Sequence, residues 1–493
     1  MNSPLVEELA SPPSVEAALA AFIDEPDVVL FESTLIRTRL GRYSFLSADP
    51  VRTHSVERAQ FGIDPFEAAR EWSSQFKAET VPDLPPFQGG VAGMLAYELG
   101  GCWERLPQAE CDELQTPVAF YGLYDWVLAW DHLDGRAWII SHGFPETDAT
   151  RRTERARERI EFVKRKLHAP VTSRQVPSPQ RGERRNGSVG VIRDTEHQQF
   201  SLPSEPGVSS NFARQDYLAA VARVIEYIRA GDIFQANLSQ RLQAQWPDSG
   251  LALYRQLRTL NPAPFAGYLA HADWAIVSAS PERFVRVVGN SVETRPIKGT
   301  RQRRATPEAD LFTRDELRAS EKDVAENVMI VDLLRNDLSR VCEPGSISVP
   351  QLCVAETYET VQHLVSEIRG TLTRNEPATD GPATSKSAAD VWTLLAAVFP
   401  GGSITGAPKI RAMEIIAELE STTRGPYCGS LFYVGSDGTL DSNILIRTFV
   451  LRDGVVRCNV GGGVVAQSDP VAEYEETLHK AEGMLRVLRV RQP

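Results

Sequence analysis

The sequence predicts an α+β protein, and three observations predict it. Residues 116–132 and 137–143 are rich in aromatic and branched side chains and read as strands, with Asp134-Gly135 turning one back on the other. Residues 217–230 carry apolar side chains at helical spacing and stop at Gly231, whose lack of a Cβ suits a helix end. Stretches of both kinds recur along 493 residues that are 42% hydrophobic, enough to bury a large core.

Taken in order, residues 27–33 read as a buried strand and 42–46 as its neighbour. Residues 87–101 are glycine-rich, then apolar, and suggest a turn leading into a helix packed on a sheet. Residues 147–167 are charged and helix-favouring, and close an N-terminal lobe at 1–168. Residues 169–210 are rich in Pro, Ser, Gly, Arg and Gln with little periodicity, and read as a flexible linker. Residues 211–493 form a second region. After the helix at 217–230, strands are expected at 233–242, 274–287 and 291–297, and a helix from Ser320 to about Arg335. A strand at 360–373, a polar connector at 374–389 and an apolar helix at 391–399 follow. The glycine-rich loop 401–408 precedes an amphipathic helix at 409–420. Strands at 427–434 and 443–452 flank the turn Ser436-Asp437-Gly438, and a last strand at 455–465 leads into a last helix at 470–489. There is no internal repeat.

A net charge of −12 argues against nucleic acid and anionic membranes as partners. No apolar run approaches the roughly 20 residues that span a bilayer. The first thirteen residues lack the basic and apolar segments of a signal peptide. The six cysteines are scattered without a CxxC pair, the pattern of reduced cytoplasmic thiols.

The chemistry-bearing residues cluster in a few motifs. Arg295-Pro296-Ile297-Lys298-Gly299-Thr300-Arg301 places one lysine in a short run that Gly299 lets turn sharply. Ser320 can cap the following helix and Asp323 can close its capping box. Asp323 and Glu326 then share one helical face, and Glu473 and Glu476 repeat the spacing on the last helix, with Lys480 a turn further on. Two such pairs suit Mg²⁺, or each is a solvated acidic face. Gly401-Gly402-Ser403-Ile404-Thr405-Gly406-Ala407-Pro408-Lys409 lacks the Walker spacing. It either presents backbone N–H groups to an anion or makes a tight turn before a helix. Gly461-Gly462-Gly463 inside a strand implies close approach of a ligand, with Arg447 as a fork for a carboxylate, or else a bulge. Glu282 is either an acid with a raised pKa or the partner of Arg283.

These motifs resemble the chorismate-utilising enzymes. SPERF, PIKGTRQR, SEKDVAENVMIVDLLRNDLSRVC, VQHLVSEIRG, FPGGSITGAPKIRAMEII, RGPYCGSLFYVGSDGTLD and GGGVVAQSDPVAEYEETLHKAE carry the resemblance, densely from Asn211 to about Arg489. It implies two large antiparallel sheets packed as a sandwich with outer helices, and a cleft holding chorismate and Mg²⁺. It implies metal carboxylates at Glu326 and Glu476 beside Asp323 and Glu473, and an acid at Glu282. It implies substrate binding by Gln235, Thr405, Gly406, Tyr427, Arg447, Gly462, Gly463 and Lys480. Glu32, Ser33, Tyr43, Pro262 and Phe265 are similar to elements of a tryptophan site in relatives.

Two positions point to one branch. Isochorismate-forming members carry a water-activating lysine where this chain has Gln235, so the resemblance implies an amine nucleophile. Anthranilate-forming members carry alanine where this chain has Lys298, which resembles the aminodeoxychorismate-forming branch. A histidine linked to pyruvate loss is expected about nine residues before the glycine loop, and the count reaches Thr393. The implied reaction is amination of chorismate at C4 with the enolpyruvyl group retained and Lys298 as covalent nucleophile. Ammonia would come from a separate glutamine amidotransferase subunit, because the chain shows no glutaminase signature. The alternatives are the anthranilate-forming branch and a silent tryptophan-binding regulatory subunit.

Overall fold

The computed structural model describes residues 3–36, 40–169, 197–303, 307–357, 361–373 and 389–490. Among them, two large antiparallel sheets build the molecule. The first sheet runs, edge to edge, through strands Leu5–Glu8, Arg136–Ser141, Trp126–Asp131, Tyr43–Ser47, Val29–Glu32, Phe265–His271, Trp274–Ser280, Thr448–Arg452, Val455–Val464, Gln235–Gln245, Val208–Ser210 and Phe200–Ser201. The second runs through Ile297–Gln302, Val361–Thr371, Ser291–Thr294, Arg283–Val288, Leu440–Asn443, Ser430–Gly435, Gly90–Leu95, Ala119–Tyr124 and Arg52–Val56.

The sheets pack face to face. Val29, Phe45, Val127, Ala129 and Ile276 of the first meet Ala92, Met94, Phe120 and Leu431 of the second in one core. Alternate residues of the same strands point the other way. Leu30, Leu46, Trp126 and Leu128 bury against the helices Val15–Phe22, Ala149–His168, Gly250–Leu260 and Pro470–Arg489. Val91 and Leu95 pack outward beneath Glu67–Gln75, Glu321–Ser339 and Val391–Val398. Both faces of the central strands are therefore apolar, which explains their unbroken hydrophobic runs.

This double burial corrects one expectation. Residues 90–95 form a strand, not a helix, and only a short 3₁₀ turn, Tyr97–Cys102, follows. A Cβ at Gly93 would lie 2.1 Å from the Phe120 carbonyl oxygen, so the glycine serves close strand approach. Two further corrections share a cause. The stretches 274–287 and 443–452 are not single strands: each breaks where the chain steps from one sheet to the other. Trp274–Ser280 belongs to the first sheet and Arg283–Val288 to the second; Leu440–Asn443 belongs to the second and Thr448–Arg452 to the first. The turn at Ser436-Asp437-Gly438 therefore joins Ser430–Gly435 to Leu440–Asn443.

The expected linker ends in ordered strands, because Phe200–Ser201 and Val208–Ser210 finish the first sheet. Its residues 170–196 lie outside the described residues, as does most of the connector at 374–389. Nor do 1–168 and 211–493 separate in space, since each contributes strands to both sheets. The helix Pro307–Ala319 and the strand Ser348–Thr357 were not foreseen. All six cysteines are free, and no helix among the described residues is long and apolar enough to cross a membrane.

Candidate active site

Two sheet crossings place the first pair of groups. Glu282 lies on the step from the first sheet to the second, 6% exposed, and accepts a hydrogen bond from the Ser403 hydroxyl at 3.1 Å. Burial pushes its carboxyl up to about 7, although Lys298, Ser403 and Arg447 pull it down. Arg283 does not pair with it; it bonds Asp441 at 2.9 Å and Glu293 at 3.2 Å. Arg447 lies on the return step with a left-handed backbone, φ 52°. Burial lowers its pKa, and only Glu282 opposes that. Among the described residues its guanidinium has no ion-pair partner, which leaves its fork available to an anion.

Lys298 comes from a bulge. Strand Ile297–Gln302 pairs with Val361–Thr371 as Lys298↔Leu364 and then Thr300↔His363, so Gly299 is an extra residue, at φ 76°. A Cβ there would lie 2.9 Å from Leu317 and 3.1 Å from Asp323, so glycine lets the strand approach the helix that carries Glu326. The Lys298 ammonium lies 2.8 Å from Glu326 Oε1, with both side chains about nine-tenths buried at 12% and 10% exposure. Gln235 Nε2 donates to the same oxygen at 2.7 Å, and its own buried Oε1 has no partner among the described residues. Burial raises the Glu326 carboxyl, but Lys298 and Gln235 outweigh it and hold the carboxyl below its usual range. Ser320 caps the helix through Asp323 N at 3.3 Å, while the Asp323 carboxylate turns to Arg301 at 2.9 Å and does not close a box.

The three glycines are not a bulge. Val455–Val464 pairs without interruption with Gln235–Gln245. A Cβ at Gly462 would lie 3.3 Å from Glu473 Oε2, 3.4 Å from Lys480 Nζ and 3.5 Å from Glu476 Oε1. One at Gly463 would lie 2.1 Å from Gln235 Nε2 and 2.6 Å from Glu326 Oε1. The missing side chains thus make room for Glu326, Glu473 and Glu476 around adjacent residues of one strand. Each carboxylate has a lysine: Glu473 has Lys322 at 3.4 Å, and Glu476 has Lys480 at 2.7 Å, which also donates to the Gly461 carbonyl. Ser468 donates to Glu473 at 2.5 Å. Burial raises Glu476, but Lys480 and more distant lysines hold it below its usual range. Among the described residues no group of three His, Cys, Asp or Glu side chains is arranged to hold a metal ion. The donor chemistry around Gly462 and Gly463 nevertheless suits an oxygen-seeking cation.

The glycine-rich loop folds as a 3₁₀ turn, Gly402–Ile404, tied by Thr405 Oγ1 donating to the Gly401 carbonyl at 3.0 Å. Gly406 then pairs with Ala236, and a Cβ there would lie 2.2 Å from the Gln235 carbonyl oxygen. The loop is thereby held against the strand that carries Gln235. Tyr427 bonds the Cys428 thiol, and burial raises its phenol well above the usual value.

Sequence reasoning missed His363. It is 4% exposed, and burial, with the Arg447 charge, pushes it down to about 3. It is neutral at any working pH and stands within electrostatic reach of Arg447. A lone histidine in an apolar strand has no signal that separates it from core. Thr393 lies elsewhere: its hydroxyl is held by Asp390 at 2.7 Å and by Arg70 at 3.3 Å. Of the tryptophan-site residues, Glu32 pairs with Ala266 beside Phe265, and Ser33 follows on the same strand. The Glu32 carboxylate is already engaged by Arg258 at 2.6 Å and Tyr254 at 2.5 Å. The Ser33 hydroxyl bonds the Leu35 carbonyl, and Arg42 stacks on Tyr43. Arg283 stacks on Phe265 at 4.9 Å, and Pro262 lies in the turn before that strand.

The family model of the chorismate binding enzymes matches residues 33–486. The chain belongs to this family and is a chorismate-utilising enzyme. Its relatives include anthranilate synthase component 1 of Thermus thermophilus, 38% identical over 462 residues, 92% of this chain and 90% of that one. They also include aminodeoxychorismate synthase component 1 of Salmonella typhimurium, 37% identical over 461 residues, 91% and 90% of the two chains. The anthranilate synthase component I of Streptococcus pneumoniae superposes with a TM-score of 0.71 at 27% identity, covering 92% of this chain and 94% of its own. The menaquinone-specific isochorismate synthase of Escherichia coli shares the fold, with a TM-score of 0.68 at 18% identity over 99% and 95% of the chains. Relatives with two different product names stand at the same similarity, so likeness alone does not choose the product.

Proposed function

We propose that the chain is the large component of an aminodeoxychorismate synthase. It would convert chorismate and ammonia to 4-amino-4-deoxychorismate, a precursor of para-aminobenzoate, with ammonia delivered by a separate glutamine amidotransferase. The observation that carries this is Lys298. Its amine is buried against Glu326 and within electrostatic reach of Glu282, in a cleft with an unpaired arginine. Lys298 passes the proton it shares with Glu326 to that carboxylate, which returns it when the lysine is released; the freed amine attacks C2 of chorismate, the ring double bond shifts, and the C4–O bond breaks. Glu282, with a carboxyl near 7, gives the departing hydroxyl its proton and water leaves. Ammonia then attacks C4, the double bond shifts back, the C2–N bond to Lys298 breaks, and the surplus proton of the new amine returns to Glu282. Arg447 and Tyr427 orient the substrate carboxylates.

Mg²⁺ would be held by Glu326 and Glu476, with Glu473 and Asp323 beside them, and would supply charge neutralisation for a substrate carboxylate. Lys298 and Lys480 neutralise the same two glutamates without it.

Anthranilate formation is the second reading, and the anthranilate synthase relatives of equal similarity favour it. His363, pushed down to about 3 by burial and the Arg447 charge, is too weak a base to carry enolpyruvyl elimination. The substitution Lys298→Ala tests the first reading. Turnover should fall by at least about a hundredfold with circular dichroism unchanged. Near-wild-type turnover would show that ammonia attacks the ring directly.

A further inference from the structure

A cavity of about 490 Å³ lies behind the active site, between the turn Tyr97–Cys102, the helix Lys409–Leu419 and residues 104–112. Five carboxylates and three arginines line it, with Gln108 and three threonines among apolar side chains. A second hollow of about 630 Å³ adjoins it at Pro107, Gln108 and Ala417, with Glu110, Glu414 and Glu418 against a single arginine, Arg411. The approach is therefore negative and favours a cation.

The inner wall is shared with the active site. Tyr97 lines the cavity, is 7% exposed, and its buried hydroxyl has no hydrogen-bond partner among the described residues. Arg424 stacks on the Tyr97 ring at 4.5 Å, pairs with Glu420 at 2.7 Å and donates to the Ile404 carbonyl of the glycine-rich loop at 3.2 Å. The Cys428 thiol is within electrostatic reach of Tyr97 on the cavity side and of Glu282 on the catalytic side, and it bonds Tyr427. Glu98, at the cavity floor, accepts from Arg424 N at 2.6 Å and Gly425 N at 3.0 Å and has no ion-pair partner among the described residues.

We propose that this cavity is the entry for ammonia, which reaches the Glu282 side of the cleft past Tyr97 and Cys428. The inference rests on the reading of the chain as an ammonia-using enzyme. Ammonium is drawn to the carboxylates, one N–H bond breaks, and the proton forms an O–H bond on Glu98, from which water in the cavity carries it back to bulk solvent before the next ammonium enters. Burial raises the Glu98 carboxyl to about 7, which favours that protonated form. The buried Arg424 cation bars ammonium but not neutral ammonia, whose lone pair accepts a hydrogen bond from the Tyr97 hydroxyl.

The test is steady-state kinetics of the full chain with chorismate, Mg²⁺ and ammonium chloride, with products identified by mass spectrometry. Ala417→Trp fills the cavity, and Tyr97→Phe removes only a hydroxyl that bonds nothing. The KM for ammonium should rise about tenfold in the first and about threefold in the second, with the KM for chorismate within about twofold of wild type. An ammonium KM unchanged in Tyr97→Phe and in folded Ala417→Trp overturns the entry route alone, as does a chorismate KM that rises in step. Wild-type protein that makes no aminated product overturns the route and the functional reading together.

Discussion

At Glu282 the carboxyl is isolated from its sequence neighbour Arg283, which Asp441 and Glu293 take. Burial then dominates, and the group stays protonated up to about 7. As the acid for the leaving hydroxyl it works below that value, so kcat should decline as pH rises through about 7. The same raised value means that its contribution to stability is present at low pH and lost as pH rises through about 7. Glu282→Gln keeps the shape but cannot deliver a proton. It should lower kcat by about 10²–10⁴-fold and remove the alkaline limb from the pH–rate profile. An unchanged limb in that variant would remove Glu282 from the chemistry. Glu326 shows the opposite balance: it is as hidden as Lys298, yet the lysine outweighs burial and keeps it ionised. Spacing singled out Glu326 and apolar neighbours singled out Glu282, but only packing shows that the first is held below its usual range and the second raised. His363 was illegible as a site group, because a buried polar side chain in an apolar strand looks like core until its partners are known, whereas Gln235 was named from its place in the motif.

At the scale of elements, the bulge at Gly299 converts a plain strand into a lysine mount. The sequence motif marks the turn, but not the helix Pro307–Ala319 whose Leu317 closes over it. Gly299→Ala would put a Cβ 2.9 Å from Leu317 and hold alanine at φ 76°. Stability should fall by about 1–2 kcal/mol in urea unfolding. Activity should fall further, by more than about tenfold, because Lys298 shifts relative to Glu326. Wild-type activity in that variant would show that the bulge does not set the lysine. Helices such as Arg214–Ala230 and Pro470–Arg489 were legible because their apolar spacing and their end signals agree. Strands 90–95 and 200–210 were not, the first because double burial hides its period and the second because its strands have two and three residues.

Across the whole molecule, the active site exists because the chain changes sheets. Glu282 and Arg447 occupy two such steps, and the glycine strand of the first sheet receives carboxylates from helices on either side. Composition and periodicity announce α+β and the motif residues, but no local pattern announces that 274–287 is divided between sheets, or that 1–168 is woven through both. The likeness to chorismate-utilising enzymes supplied the two-sheet sandwich in advance, but neither of these crossings. The central claim is the product, and mass spectrometry of the reaction of this chain with chorismate, Mg²⁺ and ammonium reads it directly. A product that keeps the enolpyruvyl group and carries an amine at C4 is the expected result. Anthranilate with released pyruvate would contradict the account.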